Sequence, residues 1–275
     1  MTQVKIRPYL SPSVVLLAFD WPDGADKDDF LGFAIERKPG FDGKNKSWLP
    51  NRIGFSGPAP DGKDLPSNDN PVQKFMWWDA RIDQKDIQKT FTYTIMPVVG
   101  TVDNHHLVDE ASNSIDVKIP KNEVNNIGTY FNRAVVSSQA FSKEFPKITK
   151  DNIIKPLTWL ANGLEKVIPD FVSDSLAVEG AIYHLGDKYW VIPTFEKHDG
   201  NLSIVYNSKK NDHSNDYAID VLGQIATVQL LPRTRTNIMH DKFLIGFENG
   251  EPSSLLTGSA NFTTEGLTTQ PLCCT

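Results

Sequence analysis

The chain has 275 residues, with 28 Lys and Arg against 34 Asp and Glu, a formal net charge of −6, and 39% hydrophobic residues. That balance excludes a wholly disordered chain. At roughly 100–200 residues per domain it predicts one large or two ordinary domains. Net acidity gives no general attraction for nucleic acid or anionic lipid, so any such binding has to come from a local basic site.

No apolar run reaches the roughly 20 residues of a membrane helix. Leu10 to Ala18 is interrupted by Ser11-Pro12-Ser13 and lacks a basic start, so it reads as a strand and not as a signal segment. Val14 to Trp21 is rich in strand formers and is broken by Pro22-Asp23-Gly24. Leu31 to Arg37, Phe75 to Arg81, Phe91 to Val99 and Ser114 to Ile119 follow as short strands. Phe91, Tyr93 and Ile95 fall on one face at period two. Gly57 to Pro71 is polar and reads as a surface loop. The expected architecture over residues 1–119 is an antiparallel β-sandwich, with Phe75, Trp77 and Trp78 in its core. On Phe91-Thr92-Tyr93-Thr94-Ile95 this part resembles a fibronectin type III-like module.

Residues 120–150 read as a linker with a short helix around Asn132 to Phe141, ended near Pro146, and Lys147 to Lys155 as a polar connector. Over residues 151–275, helices and strands alternate, which predicts an α/β layered domain. Leu157 to Ile168 carries apolar residues at helical spacing and predicts one helix through Gly163. Leu176 to Tyr183 is a strand, Tyr189 to Glu196 a helix, Asn201 to Tyr206 a strand, Lys209 to Tyr217 a loop, Ala218 to Gly223 a short helix, and Ala226 to Leu231 a strand. Phe243 to Phe247 and Leu255 to Gly258 are expected to pair as a hairpin across Asn249-Gly250. The fold class is therefore α+β multidomain.

The chemistry concentrates near the end of the chain, in His240-Asp241-Lys242 and Gly258-Ser259-Ala260-Asn261-Phe262-Thr263. On an extended chain His240 and Lys242 share a face, and so do Ser259 and Asn261. An ammonium beside an imidazole disfavours its protonation, and a neutral imidazole is a nucleophile. Lys242 also holds a phosphate as a point charge, and Ser259 and Asn261 add neutral donors for its oxygens. The set suits attack by nitrogen on a phosphodiester, giving a phosphohistidine.

These two segments resemble the signature of the phospholipase D superfamily, an H-x-K core followed by G-S-x-N. The resemblance covers about Leu157 to Gln270. It implies half of a phospholipase D-like α/β domain and phosphodiester hydrolysis without a metal or other cofactor. It makes His240 the nucleophile, Lys242 the phosphate ligand, and Ser259 and Asn261 substrate-binding groups. The family aspartate falls at Phe247, so Glu248 is expected as a supporting residue. Members acting as single chains carry two such motifs, and the second supplies another histidine as general acid. Here there is one motif, and the tail Gln270 to Thr275 does not resemble the family. The expectation is the first half of a longer enzyme, truncated at the C-terminus; the other arrangement is a homodimer pairing two copies of His240. An inactive half serving as a binding module is the alternative function.

The substrate class, phospholipid or nucleic acid, stays open at this point. Arg233, Arg235 and the lysines from Lys143 to Lys155 offer a local basic patch. The two cysteines, Cys273 and Cys274, are adjacent, which excludes a disulfide framework and suggests a cytoplasmic protein. His105-His106 reads as a solvated loop pair, His184 with Asp187 as structural, and His198 and His213 as loop residues without partners.

Overall fold

The computed structural model describes residues 1–55, 57–58, 63–133, 141, 144–235, 237–270 and 273–274, the side chains of 273 and 274 excepted. It divides into two compact units, residues 1–122 and 123–275. Most of the stretch expected to form the linker helix, 132–141, lies outside the described residues. Among the described residues no helix is long and apolar enough to cross a membrane.

The first unit is built around two main antiparallel sheets, beside two short two-stranded ladders. One orders β1 (Lys5–Ser11), β2 (Val14–Asp20) and β5 (Met76–Asp79), with β2 central. The other orders β7 (Asn104–Leu107), β6 (Thr90–Thr101), β3 (Phe30–Lys38) and β4 (Ser47–Trp48), and β8 (Asn113–Lys118) pairs with the first half of β6. Alternation sends Val15, Leu17 and Phe19 of one sheet and Phe33, Ile35, Phe91, Tyr93 and Ile95 of the other into a common core. The apolar stretch Leu10 to Ala18 is a hairpin, with Ser11 paired to Val14 around Pro12-Ser13, and not one strand.

Two expectations fail here. Phe75 is 60% and Trp78 52% exposed, and Met76 is exposed as well. Trp78 lies directly across from Leu16, on the face of β2 opposite to the buried Val15 and Leu17, so alternation puts it outside. Only Trp77 turns inward, where its Nε1 donates to Pro50 O at 3.2 Å. His105 and His106 lie on strand β7, not in a loop.

An ion pair sits deep in the sandwich. Arg37 is 5% exposed and its Nη1 meets Asp79 Oδ2 at 2.7 Å. Tyr93 Oη donates to the same oxygen at 2.7 Å, and the Arg81 amide donates to Asp79 Oδ1 at 3.0 Å. Arg37 also donates to Pro39 O and Arg81 O, and its guanidinium lies over the Phe41 and Phe91 rings. Burial, then the Asp79 charge and hydrogen bond, push the Tyr93 hydroxyl well above the usual phenol range.

The second unit centres on a five-stranded sheet. Its strands are β9 (Ala177–Ile182), β10 (Asn201–Asn207), β11 (Val228–Arg233), β12 (Lys242–Glu248) and β13 (Glu251–Thr257), in the order β11-β10-β9-β12-β13. The first three run parallel; β12 is antiparallel to β9, and β13 to β12. The hairpin turn takes the expected form, with Asn249 at φ 51° and Gly250 at φ 83°. Val178, Ile182, Leu202, Ile204, Leu244 and Leu256 form one core with residues of α1 (Ile154–Ala161), α2 (Leu164–Asp174), α3 (Val191–Lys197), α4 (Asp216–Leu222) and α5 (Thr264–Thr268).

The single helix expected over Leu157 to Ile168 is two. Asn162 at φ 52° and Gly163 at φ 108° take left-handed conformations that end α1 and open α2. The buried Asn162 side chain fixes the break: its Nδ2 donates to Phe131 O at 2.8 Å and its Oδ1 accepts from Arg133 Nε at 3.1 Å. Helical periodicity continues across such a break because both helices present apolar residues to the same core.

Candidate active site

Strand directions decide where the polar residues meet. Lys242 opens β12 directly across from Ile182, the last residue of β9, and Ile182 in turn pairs with Tyr206 near the end of β10. Thr257, the last residue of β13, pairs with Phe243. The carboxyl ends of β9, β10 and β13 and the amino end of β12 therefore share one edge of the sheet, the edge where α/β sheets place ligands.

Lys242 is 4% exposed, in register with the buried face of the sheet and across from Ile182. Its ammonium donates to His240 O at 3.0 Å and lies 5.2 Å from the centroid of the Tyr183 ring. Among the described residues it forms no ion pair with a carboxylate. Burial lowers its pKa, and the charge of the neighbouring Asp241 works against that shift. His240, exposed, turns its ring to 5.0 Å from the Tyr183 ring centroid. Tyr183 is thus the common neighbour of both motif side chains, and its own amide is tied to Asp241 O at 2.8 Å.

The second motif segment follows directly. The Gly258 amide donates to Lys242 O at 3.3 Å, which carries Ser259 to Asn261 past the same edge. Ala260 and Phe262 are buried, and Thr263 caps α5 by accepting the Gly266 amide at 3.0 Å. Phe262 exchanges backbone hydrogen bonds with His184 and Gly186. Half of the segment is therefore architecture. Ser259 is exposed; Asn261 is half-buried, with an Oδ1 that has no hydrogen-bond partner among the described residues. Asp187, wholly buried, anchors this loop from below: its amide donates to Phe262 O at 3.0 Å and its Oδ1 accepts from the Thr264 hydroxyl at 2.8 Å. Its Oδ2 takes the Trp190 and Val191 amides at the start of α3, at 2.7 and 2.8 Å.

Glu248 does not join the cluster. It ends β12, six residues beyond Lys242 and about 20 Å away on an extended strand. There it pairs with Glu251 at the hairpin turn. Because β12 runs away from the site, no shift of one residue at its far end returns a side chain to His240.

The sequence reading missed Tyr183, His184 and Asp212. Tyr183 and His184 stack at 3.8 Å between ring centroids and 19° between planes. His184 Nε2 lies 3.7 Å from Asp212 Oδ2. Asp212 is held by Asn207 Nδ2 at 2.6 Å and by the Ser214 amide at 3.1 Å. Its pKa is lowered, first by the bond to Ser214 and then, against burial, by His184 and Asn207. The buried Asn215 staples the edge: it donates to Tyr183 O and Asn207 O and accepts the Leu185 amide at 2.6 Å. The usable signal was positional, since a Tyr-His pair directly after a buried parallel strand lies at the ligand-binding edge. His213 pairs with Asp216 at 2.8 Å on the surface. Arg233 ends β11 and donates to Asn237 O, so it too lies at this end of the sheet. Among the described residues no three His, Cys, Asp or Glu side chains converge at metal-ligand spacing.

No protein-family model matches the chain, and no curated protein matches it in sequence. Solved structures share part of its backbone arrangement. NucT from Helicobacter pylori is 16% identical over 39% of this chain and 72% of its own, with a TM-score of 0.31. Nuc from Salmonella typhimurium, a phospholipase D family member, is 17% identical over 39% of this chain and 70% of its own, with a TM-score of 0.34. A mutant of yeast tyrosyl-DNA phosphodiesterase 1 is 20% identical over 39% of this chain and 26% of its own, with a TM-score of 0.28.

Proposed function

We propose that the second unit is a phospholipase D-like phosphodiesterase acting through a phosphohistidine. The observation that carries this reading is the Lys242 ammonium, buried at the His240 carbonyl and without a carboxylate partner among the described residues. A buried cation with no counter-ion is costly, and a phosphate oxygen is the anion that would complete it. The phosphodiester docks with its non-bridging oxygens toward Lys242, Ser259 and Asn261. An imidazole nitrogen of His240 attacks phosphorus, a P–N bond forms, and one P–O bond breaks to release an alcohol. Water then cleaves the P–N bond, giving the phosphomonoester and free His240. The diester belongs to a phospholipid or a nucleic acid, and the chain acts in the cytoplasm, where Cys273 and Cys274 stay reduced.

The test is hydrolysis of bis(p-nitrophenyl) phosphate in EDTA. The His240→Ala variant is expected to lose at least about 1,000-fold in kcat/KM, the order seen when a nucleophile is removed. An acid-labile phosphoryl adduct should appear on wild-type protein only. Activity that survives the substitution would sink the reading. Phosphate binding without any turnover would instead make this a binding module.

A further inference from the structure

We propose that His184 is the group that protonates the leaving oxygen, with Asp212 as its orienting carboxylate, so that one chain supplies both imidazoles of the reaction. The proposal rests on the phosphodiesterase reading above and deepens it. An alcohol leaving from phosphorus needs a proton, and His240 spends its lone pair on phosphorus. The second imidazole has to sit at the same edge.

His184 meets that requirement. Its ring and the His240 ring both touch Tyr183, so they are no farther apart than those two ring separations together. Its backbone is fixed on both sides: Tyr183 O and the Leu185 amide are held by Asn215, and His184 O accepts the Phe262 amide at 3.0 Å. That last bond joins it to the loop of Ser259 and Asn261. Asp212, at 3.7 Å from Nε2, is the carboxylate that orients an acid–base histidine, at a spacing that closes by a small rotation once substrate is bound. The titratable groups facing the ring are Asp212 from the loop after β10, Lys242 from the start of β12 and His240 just before it. Burial lowers the His184 pKa most, Asp212 opposes this, and Lys242 and His240 add to it. A phosphate on Lys242 offsets the ammonium charge and favours the imidazolium just when a donor is needed. The balance closes within the cycle. Protonated His184 gives its proton to the departing oxygen as the P–O bond breaks. The neutral ring then takes a proton from the water that attacks the P–N bond.

A leaving-group series tests this. For bis(p-nitrophenyl) phosphate, whose leaving group departs without a proton, His184→Gln should change kcat/KM, which reports the step of leaving-group departure, by less than about 3-fold, whereas for diphenyl phosphate it should cost about 100-fold in kcat/KM, within the range of general acid catalysis. Asp212→Asn should show the same pattern at smaller size, which guards against a misfolded His184 variant. Equal losses on both diesters, or none, would overturn the role of His184. Mixing His240→Ala with His184→Gln should restore nothing; recovered diphenyl phosphate hydrolysis would mean that the second imidazole comes from another copy of the chain. Absence of any His240-dependent hydrolysis by wild-type protein would instead remove the phosphodiesterase reading itself.

Discussion

Among the described residues each unit of this protein buries one cation at nearly the same depth, Arg37 at 5% and Lys242 at 4% exposure. Their surroundings are opposite. Arg37 has a carboxylate at 2.7 Å, two carbonyls and two aromatic faces, and its partner Asp79 is itself saturated by Tyr93 and Arg81. Among the described residues Lys242 has one carbonyl, one aromatic face and the charge of the neighbouring Asp241, which forms no ion pair with it. The first charge is complete within the fold. The second, on the proposed reading, is completed by the phosphate of the substrate. Burial alone therefore does not separate a structural charge from a functional one; the count of compensating groups does.

The comparison can be broken by removing the compensation. Asp79→Ala leaves Arg37 buried without its carboxylate and is expected to destabilise the sandwich by about 3–5 kcal/mol, read by urea denaturation. A loss below 1 kcal/mol would show that the carbonyls and rings suffice. It can be sharpened by supplying the missing anion. Inorganic phosphate at 100 times its Kd should stabilise the second unit by about 2.7 kcal/mol, seen as a rise in Tm that Lys242→Met abolishes. Lys242→Met itself should leave stability within about 1 kcal/mol of wild type, or raise it, because an apolar side chain replaces an uncompensated charge. A large destabilisation would mean that the ammonium is structural after all. The smallest effect concerns pH. Burial holds the His184 imidazole below the ordinary histidine value of about 6.5. The unfolded chain thus takes up this proton first, so the stabilising contribution is complete above about pH 6.5 and is lost as pH falls through the folded-state value. Tm measured against pH should lose that component in His184→Gln.

Much of the architecture was legible because period-two alternation writes itself into β6, where Phe91, Tyr93 and Ile95 are all buried. The edge strand β1 was not, since Pro8 and its charged residues hide the pattern. The break at Asn162-Gly163 escaped because periodicity reports a shared core, not chain continuity. At the candidate site, i, i+2 spacing singled out His240 with Lys242 and Ser259 with Asn261, and the resemblance to a family signature suggested their roles. Tyr183, His184 and Asp212 come together only through the parallel pairing of β9 with β10 and the antiparallel return of β12, which no local pattern encodes. Glu248 shows the converse error: it is close to the motif in sequence, but a full strand of β12 separates it from the site.

Asp187 carries a consequence for how this molecule can change over time. One carboxylate clamps the first turn of α3, a hydroxyl of α5 and, through its amide, the loop that presents Ser259 and Asn261. The geometry of that loop is inherited from a residue more than seventy positions upstream. Neither segment is free to lengthen or drift alone. Insertions that other surface loops absorb silently would here need a matching change at a distant point of the chain, and the two segments are bound to vary together or not at all.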